Sequence, residues 1–469
     1  MKRSLRLVIG VGVVAVLVAV LLVLQNREPV ADDTLSATFD SSGRETFLQV
    51  DRDAVRRVTV ENPDGEIVLL PGEAEDTGAA SQFSVLYPFD VEFVQRDVNR
   101  VVQSATRLTS RRIFEDVVEE LADFGLDDPQ ATVTVETGDS TRVISIGAQT
   151  PARDAYYVQV DGDDRVFSLA SSVIAPFFRT IDSLRVRVIP PIATETLQRV
   201  AIDTLDGEQI RIRRKLETEV DPEIGFSSLL TVAPYNRPFQ TGTTWLEETV
   251  LASYAEAQIG RFVDDDPAAD LSPYGLSQPL ARIALEDEQT SVEILIGEQA
   301  GGGRYAKFSD QPSVFVISGI GPIIRSDPYD AISPFALILG IDLIDRFVVQ
   351  TPEAEFTGSI ERTEVEGEED PEEAFFLNGQ PISEDVFRDL YQWIIGLQLD
   401  AEGGTVTEGT PVATITYYFS DGSRPRSVSF YPQSENFVSV VRGGETEFIM
   451  ARSKISRMIN AFEEAAAEL

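Results

Sequence analysis

The hydrophobic pattern changes character once along the chain. Residues 7–24 read LVIGVGVVAVLVAVLLVL, 18 positions without a polar side chain, near the lower end of what an apolar helix needs to span a bilayer. Beyond it the apolar positions come in short alternating runs. VRRVTVENPDGEIVLL at 55–70 is two β-like runs around Asn-Pro-Asp-Gly, and LQRVAIDTLDGEQIRI at 197–212 repeats the arrangement. Alternation on both sides of an Asp-Gly turn predicts a hairpin in each copy. A helical period follows. Val91, Val94, Val98, Val101, Val102, Ala105 and Leu108 fall on one face in the first copy, and Trp245, Val250, Leu251, Tyr254 and Ala257 form a less regular stripe in the second.

One phrase then returns after 150 residues: DFGLDDP at 123–129 and PYGLSQP at 273–279. In the first copy FEDVVEELADF predicts a short helix, with Gly125 at the left-handed position beyond its end and Leu126 packing back on the last turn. Pro129 prevents continuation and extends the chain. Strand-like runs follow: ATVTVET, RVISIG, YYVQV and RVFSLA, matched by ARIALED, SVEILIG, RYAKF and SVFVIS. The phrase therefore reads as a helix stop joined to a β-meander, a structural role. A third, divergent copy closes the chain. PISEDVFRDLYQWIIGLQL at 381–399 places Ile382, Val386, Leu390, Trp393, Ile394 and Leu397 on one helical face. After Pro411, VATITYYFSDGSRPRSVSFY and FVSVVRGGETEFIM form a meander without the Gly-Leu signature.

The expected fold class is α+β: an N-terminal transmembrane helix followed by repeated units of β-hairpin, helices and antiparallel β-meander. The expected organisation is a cytoplasmic tail (1–6), the transmembrane helix (7–24), a polar juxtamembrane linker (25–50), a first unit (51–189), a second (190–345) and a third (346–469). RVIPPIATET at 187–196 forms a Pro-Pro junction, and EVEGEEDPEEA at 364–374 reads as a solvated acidic loop. Lys2, Arg3 and Arg6 precede the apolar run while Glu28, Asp32 and Asp33 follow it, so the N-terminus is expected in the cytoplasm and the bulk outside. QNREPV follows the run instead of a small-x-small cleavage site, which favours an uncleaved anchor. Gly10 and Gly12 lack the spacing of a helix-dimerisation motif.

Composition narrows the chemistry. Apolar residues make up 43% of the chain, enough to build several cores. The chain contains no His and no Cys, which excludes a Ser-His-Asp triad, a thiol nucleophile, Cys/His zinc, iron–sulfur clusters and disulfides. The formal charge of −39 opposes nucleic acid, anionic lipid headgroups and acidic polymers. No P-loop, G-x-S-x-G, EF-hand loop or S-x-x-K is found. GGGR at 301–304 lies between strand-like runs, where a hairpin turn is expected and not a phosphate cradle. Asp264, Asp265, Asp266 and Asp270, and likewise Asp161, Asp163 and Asp164, offer oxygens to a hard cation, but without a recognised ligand spacing and where turns are expected. Arg111 and Arg112 make a small basic spot, expected on a helix surface or in ion pairs. Two carboxylates suffice for a glycosidase, yet 78 acidic residues always supply a pair. No catalytic, cofactor or metal residue is therefore assigned.

The single N-terminal span, the repeated [FY]GL..P phrase and the strands ending in Ile146-Gly147 and Ile296-Gly297 resemble the family catalogued as domain of unknown function 4340, over most of residues 50–345. The resemblance implies an accessory part beside an ABC-2-type permease, its ATPase and a gliding-motility-type auxiliary membrane protein. It carries over no catalytic residue. The expectation is a non-enzymatic, single-pass scaffold of the cytoplasmic membrane. The alternatives are an extracytoplasmic ligand- or cation-binding module and a carboxylate-dependent envelope hydrolase.

Overall fold

The computed structural model describes residues 44–469 except 73–81, 116–117, 220, 222–223, 225–226, 365–370 and 406–408. The apolar run at 7–24 lies outside the described residues, and no helix among those described is long and apolar enough to cross a membrane. The chain divides into two compact units, Met1–Val186 and Arg187–Leu469.

The first unit holds an eight-stranded sheet. Its leading hairpin, Val55–Asn62 and Gly65–Pro71, is extended by Phe83–Val85. On the other side of Val55–Asn62 the meander Ala131–Thr137, Thr141–Gln149, Ala155–Val160 and Val166–Ala170 pairs strand by strand, and Arg112–Phe114 closes the far edge. The second unit holds two nine-stranded sheets. One begins with Arg199–Asp203 and carries the meander Ala281–Glu286, Ser291–Ala300, Gly303–Phe308 and Val314–Ser318. The other begins with Ile344–Gln350 and carries Ala413–Phe419, Arg426–Pro432, Phe437–Arg442 and Glu445–Ala451. In all three the hairpin's first strand pairs with the first meander strand, and the short strand after the helix pairs with the last. The C-terminal sheet keeps this order although it lacks the Gly-Leu phrase.

Matching rows of side chains cross the sheets in register: Ile67–Val60–Val133–Ile144–Val160, Ile210–Ile202–Ile283–Ile294–Phe308, and Phe356–Val349–Ile415–Val428–Arg442. Period-two alternation sends these residues to one face, where they are buried. A helix covers that face in each repeat. In the first it is Gln95–Thr106, whose Val98, Val101, Val102 and Ala105 are buried. It is shorter than the periodicity suggested: Val91 and Val94 precede it, and Leu108 belongs to the strand Arg107–Thr109, which pairs with Thr46–Gln49. In the second, Trp245–Leu251 is a π-helix leading into Ala252–Glu256. Its wider turn places Trp245 and Val250, five residues apart, on one face and accounts for the irregular stripe.

Two expectations for the third repeat need correction. In Glu384–Ile395 the buried face is Phe387, Leu390, Tyr391 and Ile394, whereas Val386 and Trp393 are each 41% exposed. The helix is rotated so that the larger aromatic pair meets the sheet. The chain also closes with a helix that the sequence reading does not contain, Arg452–Ala467, which buries Ile455, Met458 and Phe462.

The recurring phrase is a Schellman turn clamped onto a bulged strand. The Gly125 N–H donates to the Ala122 carbonyl (3.0 Å) and the Leu126 N–H to the Leu121 carbonyl (3.0 Å). Gly275 and Leu276 repeat the pair on Ser272 (3.1 Å) and Leu271 (3.0 Å). Both glycines have left-handed φ, 64° and 67°. The strands that carry Ile146-Gly147 and Ile296-Gly297 run directly beneath and continue to Gln149 and Ala300. A Cβ on Gly147 would lie 2.2 Å from the Phe124 carbonyl oxygen, and one on Gly297 would lie 2.0 Å from that of Tyr274. The strand registers shift just there, between Ile146 and Gln149 and between Ile296 and Gln299. The two halves of the motif, "GL" and "IG", are thus contact partners.

Asp287 ties the start of the second unit to a hairpin turn. Its carboxylate accepts the N–H groups of Ala193 (2.6 Å), Gln289 (2.7 Å) and Thr290 (2.6 Å). Those donors, Ala193 first, hold its carboxyl below the usual carboxylate range. A carboxyl lowered in the folded state contributes stability above the unfolded value, about 3.9 for Asp, and loses it as pH falls through the folded value. Asp287→Asn is therefore expected to melt earlier than the parent at pH 6, with the gap closing near pH 3. An unchanged gap in paired thermal melts at the two pH values would refute this role.

Candidate functional site

The residues singled out by sequence mostly serve local structure. Asp264 accepts the Asp266 N–H (3.0 Å) and the Tyr274 hydroxyl (3.1 Å). Asp266 accepts the Ala268 N–H (2.8 Å) and Asp270 the Ser272 N–H (2.9 Å), while Asp265 is buried. Asp161 accepts the Val143 N–H (2.8 Å), Asp163 pairs with Arg165 (2.8 Å), and Asp164 is exposed. These are turn caps and ion pairs. Among the described residues no group of three carboxylates is placed to hold a metal ion. Gly301 and Gly302 form the turn between Ser291–Ala300 and Gly303–Phe308, with φ 88° at Gly302. Arg111 and Arg112 lie at the edge strand Arg112–Phe114 and not on a helix. Pairing with Val166–Ala170 holds the stretch extended, and Arg111 forms the other expected contact, an ion pair, with Asp154 (2.8 Å).

A cleft of about 720 Å³ lies in the second unit. One wall is Gln240–Glu248, entering the π-helix, and the other is Tyr329–Phe335, some ninety residues later. Backbone bonds hold the walls together: Gly242 N–H to the Ala331 carbonyl (3.1 Å) and Ser333 N–H to the Gln240 carbonyl (2.7 Å). The approach is so close at Gly242 that a Cβ there would lie 2.7 Å from the Asp330 carbonyl oxygen. Trp245, which lines the cleft, donates its indole N–H to the buried Ser326 hydroxyl (3.2 Å), and Thr241, Thr243, Thr244 and Ser333 add hydroxyl-bearing residues to the lining.

Among the described residues two carboxylates line the cleft, Glu248 and Asp330, and no Lys or Arg. Burial pushes the Asp330 carboxyl up, with the nearby charge of Asp327 adding to it. Tyr329 is pushed up to about 12, first by burial and then by Asp400, Asp330 and Glu402. Beside it, Tyr235 donates to the Glu402 carboxylate and packs on Phe239 and Phe448. A surface of this composition accepts neutral or cationic hydrogen-bonding groups and repels anions. The run TGTTW at 241–245 is its only local trace in the sequence.

Fold and site together define a class: an array of like α+β repeats, each one antiparallel sheet with a helix on its apolar face. A family model described as a domain of unknown function, DUF4340, matches residues 84–233 and 248–327, and the chain belongs to that family. Neither curated proteins nor solved structures show a match.

Proposed function

We propose that the chain is a single-pass accessory or scaffold protein of the cytoplasmic membrane, with its N-terminus in the cytoplasm and its repeats outside, serving an ABC-2-type transporter or a related envelope complex without catalysing a reaction itself. The observation that carries this reading is the 18-residue apolar run at 7–24, preceded by Lys2, Arg3 and Arg6, in front of three like sheets. An anchor followed by several like domains suits a docking role. Membership of DUF4340 supports it as far as the family goes. The absence of His and Cys from the sequence removes the commonest nucleophile and base combinations.

The test is crosslinking in intact cells, then mild-detergent purification of a C-terminally tagged copy and mass spectrometry. Recovery of a permease of the ABC-2 type with its ATPase is the expected outcome. A protein that emerges with crosslinks only to itself would overturn the scaffold reading and direct attention to ligands of the Glu248–Asp330 cleft.

A further inference from the structure

A groove of about 560 Å³ in the third repeat is lined from both of its helices, Glu384–Ile395 and Arg452–Ala467. Helical spacing builds one wall: Asp389, Gln392 and Trp393 stand at i, i+3 and i+4, beside the buried stripe of Phe387, Leu390, Tyr391 and Ile394. Gln398 follows the first helix, and Lys454 and Arg457 come from the second. Lys454 ties the walls together, donating its Nζ to the Gln398 carbonyl (2.8 Å) and to Asp400 Oδ1 (2.9 Å). Arg457 engages its Nε with the Ser453 carbonyl (3.4 Å). Among the described residues, no hydrogen bond or ion pair engages the Asp389 carboxylate, the Gln392 and Gln398 amides or the Trp393 indole N–H. With Lys454 matched by Asp400, the remaining charges of the lining are one of each sign, Asp389 and Arg457. In a chain of formal charge −39 that makes the groove close to neutral. At its side stands Trp393, 41% exposed, although tryptophan is highly buried on average.

We propose that this groove binds a neutral saccharide, a short chain of β-linked pyranose units with equatorial hydroxyls. Such a ring has two flat faces made of C–H groups, which stack on an indole, and a rim of hydroxyls, each both donor and acceptor. The lining matches both parts. Trp393 offers the aromatic face and its N–H. Planar carboxylate, amide and guanidinium groups at Asp389, Gln392, Gln398 and Arg457 supply acceptors and donors for the rim. The volume falls in the range of small-ligand sites, about 300–1,000 Å³. A protein partner fits less well. Leu397, the other large apolar side chain in the lining, is buried, so the exposed apolar surface of the groove is a single ring, whereas a stable protein interface needs on the order of 1,000 Å² with an apolar centre. The saccharide reading is independent of the anchor and of any transporter partner.

Calorimetry on the full chain in mild detergent tests it. The hexasaccharides of β-1,4-linked glucose and of β-1,4-linked N-acetylglucosamine are titrated into the parent, Trp393→Ala, Gln398→Ala and Phe437→Ala. Phe437 is the control, an aromatic residue of the same repeat that is 38% exposed and lies outside the groove lining. The expected result is saturable binding of at least one hexasaccharide, weakened about tenfold in Trp393→Ala by loss of the stacking ring and about threefold in Gln398→Ala by loss of one amide, and unchanged in Phe437→Ala. Gln398 is exposed, so Gln398→Ala reports on the site without burdening the core. Bound saccharide should also shield Trp393 from acrylamide quenching in the parent. No heat with either hexasaccharide at millimolar concentration, or binding equally strong in Trp393→Ala, overturns the proposal. A photo-crosslinking residue in place of Gln392 that traps a protein in intact cells overturns it too, in favour of protein docking at Trp393.

Discussion

Gly297→Ala is expected to destabilise the second repeat by about 3 kcal/mol or more, the largest effect of any single added methyl in this sheet. The added Cβ would stand 2.0 Å from the Tyr274 carbonyl oxygen and 3.1 Å from Leu276 Cγ. Tyr274 O belongs to the backbone of the Schellman turn, so no rotamer change relieves the overlap. The turn must lift from the strand, and Leu276, 3% exposed, must lose its packing. Gly147→Ala should act alike in the first unit, where the Cβ would meet Phe124 O at 2.2 Å. Gly301→Ala is the control: nothing lies within 4 Å of its Cβ, and a change within about 0.5 kcal/mol is expected. Trp245 lies in the second repeat and Trp393 in the third. Tryptophan fluorescence through a denaturant titration therefore reads Gly297→Ala, and hydrogen exchange reads Gly147→Ala. A Gly297→Ala midpoint equal to that of Gly301→Ala would show that turn and bulge are not locked together.

Phe347→Ala should cost the third repeat about 3–5 kcal/mol, the range for removing a fully enclosed ring. Phe347 is 0% exposed and centres an aromatic cluster, with ring centroids 5.5 Å from Phe387, 5.8 Å from Phe462 and 6.0 Å from Tyr391. Its ring also occupies the space over Gly358, its cross-strand partner: a Cβ on Gly358 would lie 2.2 Å from ring atom Cζ. An aromatic ring laid over a cross-strand glycine shields backbone that would otherwise be bare. The pair must therefore be coupled. Gly358→Ala should be costly in the parent and much less so beside Phe347→Ala, where the ring is gone. Equal costs of Gly358→Ala in the two backgrounds, measured by denaturant midpoints, would contradict this packing.

Local signals in the sequence were enough for the hairpins, the meanders and the two Schellman turns. Each depends on alternation or on one residue's backbone freedom: Val58 and Val60 point inward because strand side chains alternate, and Gly125 and Gly275 end helical turns because they adopt positive φ. Those same signals established the α+β character and the repetition. They did not orient the helix at Glu384–Ile395, because Val386, Phe387, Trp393 and Ile394 are all apolar and only contact with the sheet decides which of them it covers. Nor did they reveal the helix Arg452–Ala467, whose apolar positions are few and lie among charges.

What the sequence determined by itself is the repeated order of hairpin, helix and meander, and an apolar run of spanning length. What only the tertiary structure decided is which distant segments meet. The Ile-Gly pair meets the Gly-Leu turn 22 residues before it, Gln240–Trp245 faces Tyr329–Phe335 across a cleft, and Trp393 joins Arg457 around one groove. Periodicity and turn chemistry act over a few neighbouring residues. These sites arise from sheet register and backbone approach across tens of residues, which no local pattern encodes.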